Sequence, residues 1–213
     1  MKNQFYIMLI VLIICILALT FSSCAKTKET TSSEDKQENT AAPDSETLLT
    51  ENIVIDGSMD SHEYFFNLKD EATGLEVYWS NDRQYIYIGI IAGSSGWTSI
   101  GFNPEFAMKG ANIIFMAIDG KEIVMRDDFG NSTFSHSPDE GLGGSFDVEE
   151  YAVKADGAVA MYEFKMLLDS GDEFDGVLNA GEEYKVILSV NDRVIDFDSK
   201  HTKKSSSQIQ LAR

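Results

Sequence analysis

Short runs in which apolar and polar residues alternate constrain this chain more than any other feature. Leu75, Val77 and Trp79 alternate with Glu76, Tyr78 and Ser80 in one continuous segment. After the turn residues Asn81-Asp82, residues 84–91 alternate again. A period of two is typical of a β-strand with one buried face. The two segments therefore predict a β-hairpin.

Two further hairpins are predicted around Asp119-Gly120 and Asp156-Gly157, because tight β-turns need residues that tolerate a positive φ. Their strands are expected at residues 112–118, 122–126, 151–154 and 159–164. Further strands are expected at residues 53–55, 64–68, 97–102, 183–190 and 208–211. About ten short strands without a convincing amphipathic helix predict an all-β fold, an immunoglobulin-like antiparallel β-sandwich.

The N-terminal residues have the pattern of a secretory signal. Lys2 precedes an apolar run over residues 5–19, and Ser22 and Ser23 stand directly before Cys24. This arrangement resembles the lipobox of bacterial lipoproteins, which implies a signal peptide over residues 1–23 and a lipid on Cys24. An uncleaved anchor helix is the alternative. In both cases the domain lies outside the cytoplasm, anchored to the cell membrane.

Residues 24–51 are predicted to be a disordered tether. They are rich in Ser, Thr and Glu and contain no aromatic residue, so they cannot bury enough apolar surface to offset the entropy of folding. All sixteen glycines follow residue 56. We therefore expect one folded domain, over residues 52–213.

Charge and cysteine content exclude several classes of function. The formal net charge is −18, so the chain repels phosphate and is not expected to bind nucleic acid. Both cysteines, Cys15 and Cys24, precede the folded domain, which therefore contains neither a disulfide nor a thiolate site. The three histidines lack metalloprotease spacing, and no nucleophile elbow or phosphate-binding loop is present. We therefore expect that the protein is not an enzyme.

Acidic residues concentrate in three short segments, namely Asp127-Asp128, Asp139-Glu140 and residues 169–175. Carboxylates in such numbers are compatible with Ca²⁺ binding. The regular ligand spacing of a calcium loop is missing, however, so a solvated acidic surface is the favoured interpretation.

The order of motifs in residues 52–213 resembles the DOMON domain family. The resemblance rests on Trp79, residues 96–102 (GWTSIGF), residues 108–114 (MKGANII), Asp119-Gly120, Asp127-Asp128, Pro138-Asp139, Gly143-Gly144, the Gly171-Asp172 and Asp175 turn, and His201 before the last strand. Members are secreted or membrane-attached β-sandwiches that bind b-type haem or sugars, often beside redox partners.

In the haem-binding members, a Met and a late His are the axial iron ligands, which correspond here to Met108 and His201. The resemblance thus implies haem b and electron transfer to a redox partner protein, since thioether and imidazole together leave no open iron position. Phe102 and Phe106 flank Met108 closely enough to line an apolar haem pocket. His136 is interpreted as a loop residue.

Two other functions stay open. A carbohydrate-binding module would stack Trp or Tyr on a sugar ligand, and an interaction domain would bind no small molecule. Haem binding predicts that Met108 and His201 meet across a pocket. Sugar binding predicts an exposed aromatic platform, with one of those two residues facing solvent.

Overall fold

The computed structural model describes residues 50–60, 62–93 and 95–213. Within them lie eleven strands and one short helix: β1 (Phe66–Asp70), β2 (Leu75–Asn81), β3 (Tyr85–Gly93), β4 (Trp97–Phe102), β5 (Asn112–Asp119), β6 (Glu122–Phe129), β7 (Ser137–Pro138), α1 (Asp139–Leu142), β8 (Val148–Asp156), β9 (Val159–Leu167), β10 (Glu183–Asn191) and β11 (Lys203–Gln210). The predicted signal peptide, Cys24 and nearly all of the tether lie outside these residues. No described helix is long and apolar enough to cross a membrane.

The strands form two antiparallel sheets that face each other. The five-stranded sheet has the order β1-β2-β3-β9-β8, and the six-stranded sheet has the order β11-β10-β4-β5-β6-β7. Alternate residues of both sheets point inward, as Ile86, Ile88 and Ile90 of β3 do, and each of these three is fully buried. The predicted all-β sandwich is confirmed.

All three predicted hairpins are present. Asp119 pairs with Glu122 and Asp156 pairs with Val159, so each of these turns contains two residues. Gly120 and Gly157 have φ values of 66° and 60°, which an L-residue with a side chain rarely adopts. The turn residues therefore fix the register of both strand pairs.

Two strand predictions need correction. Residues 53–55 form no strand, because their segment bonds to carboxylates instead: the Val54 amide donates to Glu63 and the Gly57 amide to Glu163. The last strand begins at Lys203 rather than at residue 208. Its polar sequence hides the alternation, since β11 is an edge strand.

The six-stranded sheet is covered on both faces. Every residue of β4 is buried, although only alternate residues of β4 face the core between the sheets. A second apolar cluster lies on the outer face, where the connections that precede β5, β7 and β11 pack against the sheet. It consists of Trp97, Ala111, Ile113, Phe115, Ala117 and Phe197, with Met108 and Ile187 packed against it.

Candidate functional site

A pocket of about 750 Å³ opens on the outer face of the six-stranded sheet. Side chains of β4, β5 and β10 line it, namely Trp97, Ile113, Phe115 and Ile187. The connections add Met108, Phe134, His136 and His201. Its volume is within the range of about 300 to 1,000 Å³ that is usual for small-molecule and cofactor sites.

Met108 is held by a tight turn between β4 and β5. The Lys109 amide donates to the Phe106 carbonyl at 3.0 Å, and the Ala111 amide donates to the Met108 carbonyl at 3.1 Å. Ala107 has a φ of 52°, a conformation that costs free energy in a residue other than glycine. The turn also lies against Gly130, where a Cβ atom would come within 1.7 Å of the Met108 oxygen. The backbone that carries Met108 is therefore fixed from both sides.

His201 is positioned by the buried side chain of Asn191, at the end of β10. The Asn191 amide nitrogen donates to the Lys200 carbonyl at 3.0 Å. Its oxygen accepts hydrogen bonds from the amides of Arg193 and Val194. One asparagine thus joins both ends of the connection between β10 and β11.

The imidazole of His201 is half-buried in the pocket wall. Burial lowers its pKa below the ordinary histidine value, and the positive charges of Lys204 and Lys200 lower it further. A lowered pKa favours the neutral ring, the form in which an imidazole nitrogen can bind a metal.

His136 also lines this pocket, a role that the loop interpretation of the sequence did not include. Its ring lies 4.8 Å from that of Phe115, centroid to centroid. Nδ1 lies 2.5 Å from Oδ2 of Asp128, a buried carboxylate on β6. A carboxylate that engages one ring nitrogen fixes the orientation of an imidazole. No sequence pattern indicates the contact, because it depends on how the loop returns to β6.

Arg126 connects this wall to the loop that carries His201. Nε donates to Asp128 at 2.7 Å, while Nη2 donates to Asp198 at 2.8 Å. The guanidinium carbon also lies 5.8 and 5.4 Å from the ring centroids of Phe115 and Phe197. The two histidine-bearing segments therefore share one arginine.

The two phenylalanines expected to line the pocket lie elsewhere. Phe102 is 2% exposed and packs between the sheets, because it faces the opposite side of β4 from Trp97. Phe106 is 68% exposed at the tip of its turn. The aromatic residues that do line the pocket are Trp97, Phe115 and Phe134. Strand alternation indicates the inward direction of Phe102, since Trp97 and Phe102 are five residues apart.

The polar groups of the pocket suit an anionic ligand. Lys185, Lys200 and Lys204 line it, although the domain from residue 52 onward has only 13 basic residues against 28 acidic ones. Asp198 also lines the pocket, and its carboxylate is paired with Arg126. Trp97 is 4% exposed, and its Nε1–H has no hydrogen-bond partner within the described residues. A buried donor without a partner is costly, so an acceptor on a bound molecule would stabilise it.

The model of the DOMON domain family matches residues 71–191. The chain belongs to the DOMON domain family. The matched residues include Met108 and His136, whereas His201 follows them in the connection to β11.

Solved structures of similar fold include the cytochrome b domain of pyranose dehydrogenase from Coprinopsis cinerea. Its TM-score is 0.52 at 8% identity, over 68% of this chain and 80% of that chain. For the cytochrome domain of cellobiose dehydrogenase from Myriococcum thermophilum, the TM-score is 0.49 at 11% identity, and the match covers 68% of this chain and 81% of that chain. For a family 9 carbohydrate-binding module from Caldicellulosiruptor kristjanssonii in complex with glucose, the TM-score is 0.44 at 12% identity, and the match covers 76% of this chain and 92% of that chain. No curated protein matches the chain.

Proposed function

We propose that this DOMON protein binds b-type haem and transfers electrons, as a lipoprotein anchored outside the cytoplasm and without enzymatic activity of its own. The observation that supports the proposal most directly is that Met108 and His201 line one pocket, although they come from different connections of the six-stranded sheet. Both side chains are partly buried. Sugar binding predicts instead that one of the two faces solvent.

The residues of the pocket fit haem in three respects. Met108 and His201 would supply a thioether and an imidazole, a pair of donors that suits haem iron. Trp97, Ile113 and Phe115 form an apolar surface that excludes water. Lys200 and Lys204 bring positive charge for the propionates.

Bound haem would supply one-electron redox chemistry. A thioether ligand from Met108 would favour the ferrous state and so raise the reduction potential. With Met108 and His201 both holding the iron, the site would exchange electrons rather than activate oxygen. The acidic surface of the domain would favour a redox partner with a basic docking face.

We assign the imidazole ligand to His201 and a positioning role to His136. His136 is held by Asp128 and stacked beside Phe115, so it forms part of the wall. Because Asp128 engages only Nδ1, the other ring nitrogen of His136, Nε2, makes this residue the alternative iron ligand. The two assignments predict opposite results for single substitutions.

The deciding experiment titrates haemin into the full-length chain, purified in a non-ionic detergent, and follows the Soret band. We expect His201→Ala to lose most of the bound haem and His136→Ala to retain it, as should the control His62→Ala, outside the pocket. Loss of haem in His136→Ala alone would transfer the ligand role to His136. A wild-type chain that takes up no haem would overturn the proposed function.

Phe134 favours carbohydrate as the second candidate. It is 91% exposed and lines the pocket, so its face is available for stacking on a sugar ring. If sugar is the ligand, Phe134→Ala should abolish retention on immobilised oligosaccharide while the exposed-residue control Phe65→Ala retains it. Haem uptake that survives excess sugar would argue against this candidate.

A further inference from the structure

Carboxylates of the acidic segments come together near the end of β6 and the start of β8, although other acidic residues of these segments are solvent-exposed. Asp127 lies on β6, Asp147 directly precedes β8, and Asp175 lies in the connection between β9 and β10. One carboxylate oxygen of each lies within 4.8 Å of the others. Asp127 is only 4% exposed, and Asp139, the first residue of α1, is fully buried.

Several oxygen atoms in this cluster lack a hydrogen-bond donor. Oδ1 of Asp127, both carboxylate oxygens of Asp139 and Oδ1 of Asn112 are buried without a partner in the described part of the chain. The side-chain amide nitrogen of Asn112 donates a hydrogen bond to Asp175, so Asn112 contacts the cluster. Buried carboxylates without donors are costly unless a cation compensates them. No salt bridge to Lys or Arg involves Asp127, Asp139 or Asp175 among the described residues.

The electrostatics agree with this geometry. Burial raises the pKa of Asp127 to about 8, and the charge of Asp175 adds to the effect. For the same two reasons the pKa of Asp139 is raised to about 7. Burial also raises the pKa of Asp175, to about 6. These carboxyl groups repel one another, and a divalent cation among them would remove the repulsion.

We propose that Asp127, Asp147 and Asp175 bind a Ca²⁺ ion, whose charge would also compensate the buried, unpartnered oxygens of Asp139 and Asn112 nearby. Calcium takes six to eight oxygen ligands at about 2.3 to 2.6 Å, so oxygens on opposite sides of the ion are about 4.6 to 5.2 Å apart. The spacing of the three aspartates is compatible with that sphere. The donor set contains only oxygen, which suits calcium better than zinc or copper.

The ion would connect the two sheets. Asp127 belongs to the six-stranded sheet, whereas Asp147 leads directly into the five-stranded sheet. At present the Asp147 amide donates to Asp127 at 3.2 Å, and Ser170 Oγ donates to Asp175 at 2.7 Å. A shared cation would add bonds between segments that are far apart in sequence. The site is separate from the pocket on the outer face and does not depend on haem.

Thermal unfolding of the full-length chain in EDTA and in CaCl₂ tests the proposal, together with isothermal titration using Ca²⁺ alone. We expect calcium at one hundred times its dissociation constant to raise Tm by about 5 to 10 °C. Magnesium should have a smaller effect, because it demands shorter, octahedral coordination. Equal Tm values in EDTA and CaCl₂, with no heat of binding, would overturn the proposal.

Single substitutions locate the ion. Asp127→Asn and Asp175→Asn should remove the calcium-dependent shift. In EDTA their Tm should equal or exceed that of the wild type, because Asn keeps the size of the side chain and removes a carboxyl group from a crowded, buried cluster. This result would distinguish a lost site from a damaged fold. The control is Asp119→Asn at the exposed β5–β6 turn, which should keep the full shift. Calcium binding that persists in both cluster variants, or disappears in the control, would contradict the assignment.

Discussion

Arg126 donates a hydrogen bond of 2.8 Å to Asp198, which attaches the connection carrying His201 to β6. The same guanidinium holds Asp128, whose other oxygen meets His136. Both histidine-bearing segments of the pocket are thus restrained through one side chain. The geometry of the pocket therefore depends on a residue that is not itself proposed to contact the iron.

Removing Asp198 should weaken the pocket more than the fold. Its ion pair is exposed, so Asp198→Ala should lower the free energy of unfolding by less than about 1 kcal/mol. Haem should leave this variant several-fold faster, because the His201 loop loses its attachment to Arg126. Transfer of haem to excess apomyoglobin measures that rate. Asp192→Ala, an exposed residue of the same connection, is the control, and equal rates for both variants would contradict the account.

Replacing Met108 by His should keep haem bound and lower the reduction potential. An imidazole replaces a thioether that favours the ferrous state, so the ferric state gains relative stability. Spectroelectrochemical titration gives the potential. Met161→Leu, on β9 of the other sheet, should leave the potential unchanged. A potential that is the same in Met108→His and in the wild type would show that Met108 is not a ligand.

Asp70 should make stability depend on acidic pH. Burial acts to raise its pKa, but hydrogen bonds from Thr73 and Ser205 outweigh burial and hold the pKa below the usual value. Its contribution to stability is therefore present above the unfolded pKa and is lost as the pH falls through the lower folded pKa. Asp70→Asn should reduce the free energy of unfolding by about 1 kcal/mol at pH 7.

The difference between wild type and Asp70→Asn should shrink below about pH 4, where the carboxylate is titrated. Urea unfolding at a series of pH values measures it. A difference that stays constant down to pH 2 would mean that the hydrogen bonds of Asp70 do not depend on its charge.

Cys24 should determine membrane attachment. If it carries a lipid, Cys24→Ser should release the protein or leave an unprocessed precursor of larger size. Fractionation of cells followed by intact-mass analysis distinguishes these results. Ser23→Ala, at the neighbouring position, should be processed normally. Unchanged size and unchanged membrane retention of Cys24→Ser would favour the uncleaved anchor helix.

The sequence predicts the central strands well because their signals are local. Alternation in β2 and β3 and the Asp-Gly turns after β5 and β8 fix hairpins without reference to the rest of the chain. β11 is predicted too short, since Lys203 and its polar neighbours acquire strand structure only by pairing with β10. Local sequence patterns therefore predict the hairpins, whereas the edge strand β11 depends on its pairing with β10.

The candidate sites are harder to predict from the sequence, because their residues meet only through tertiary contacts. Met108 and His201 come from the family resemblance, and no periodic pattern indicates that they line one pocket. The contact between His136 and Asp128 requires the loop before β7 to return to β6. Asp127 lies on β6 and Asp175 in the connection between β9 and β10, so their carboxylates come together only in the folded chain. The sequence shows these aspartates only as polar residues, and it does not indicate that Asp127 and Asp139 are buried.

The absorption spectrum of the full-length protein, purified from haem-replete cells and reduced with dithionite, is the sharpest test of haem binding by Met108 and His201. We expect a Soret band with sharp α and β bands, the signature of six-coordinate low-spin iron, and no change on adding carbon monoxide, because two protein ligands would leave no open position on the iron. A colourless protein that also rejects added haemin, or a reduced protein that binds carbon monoxide readily, would contradict it.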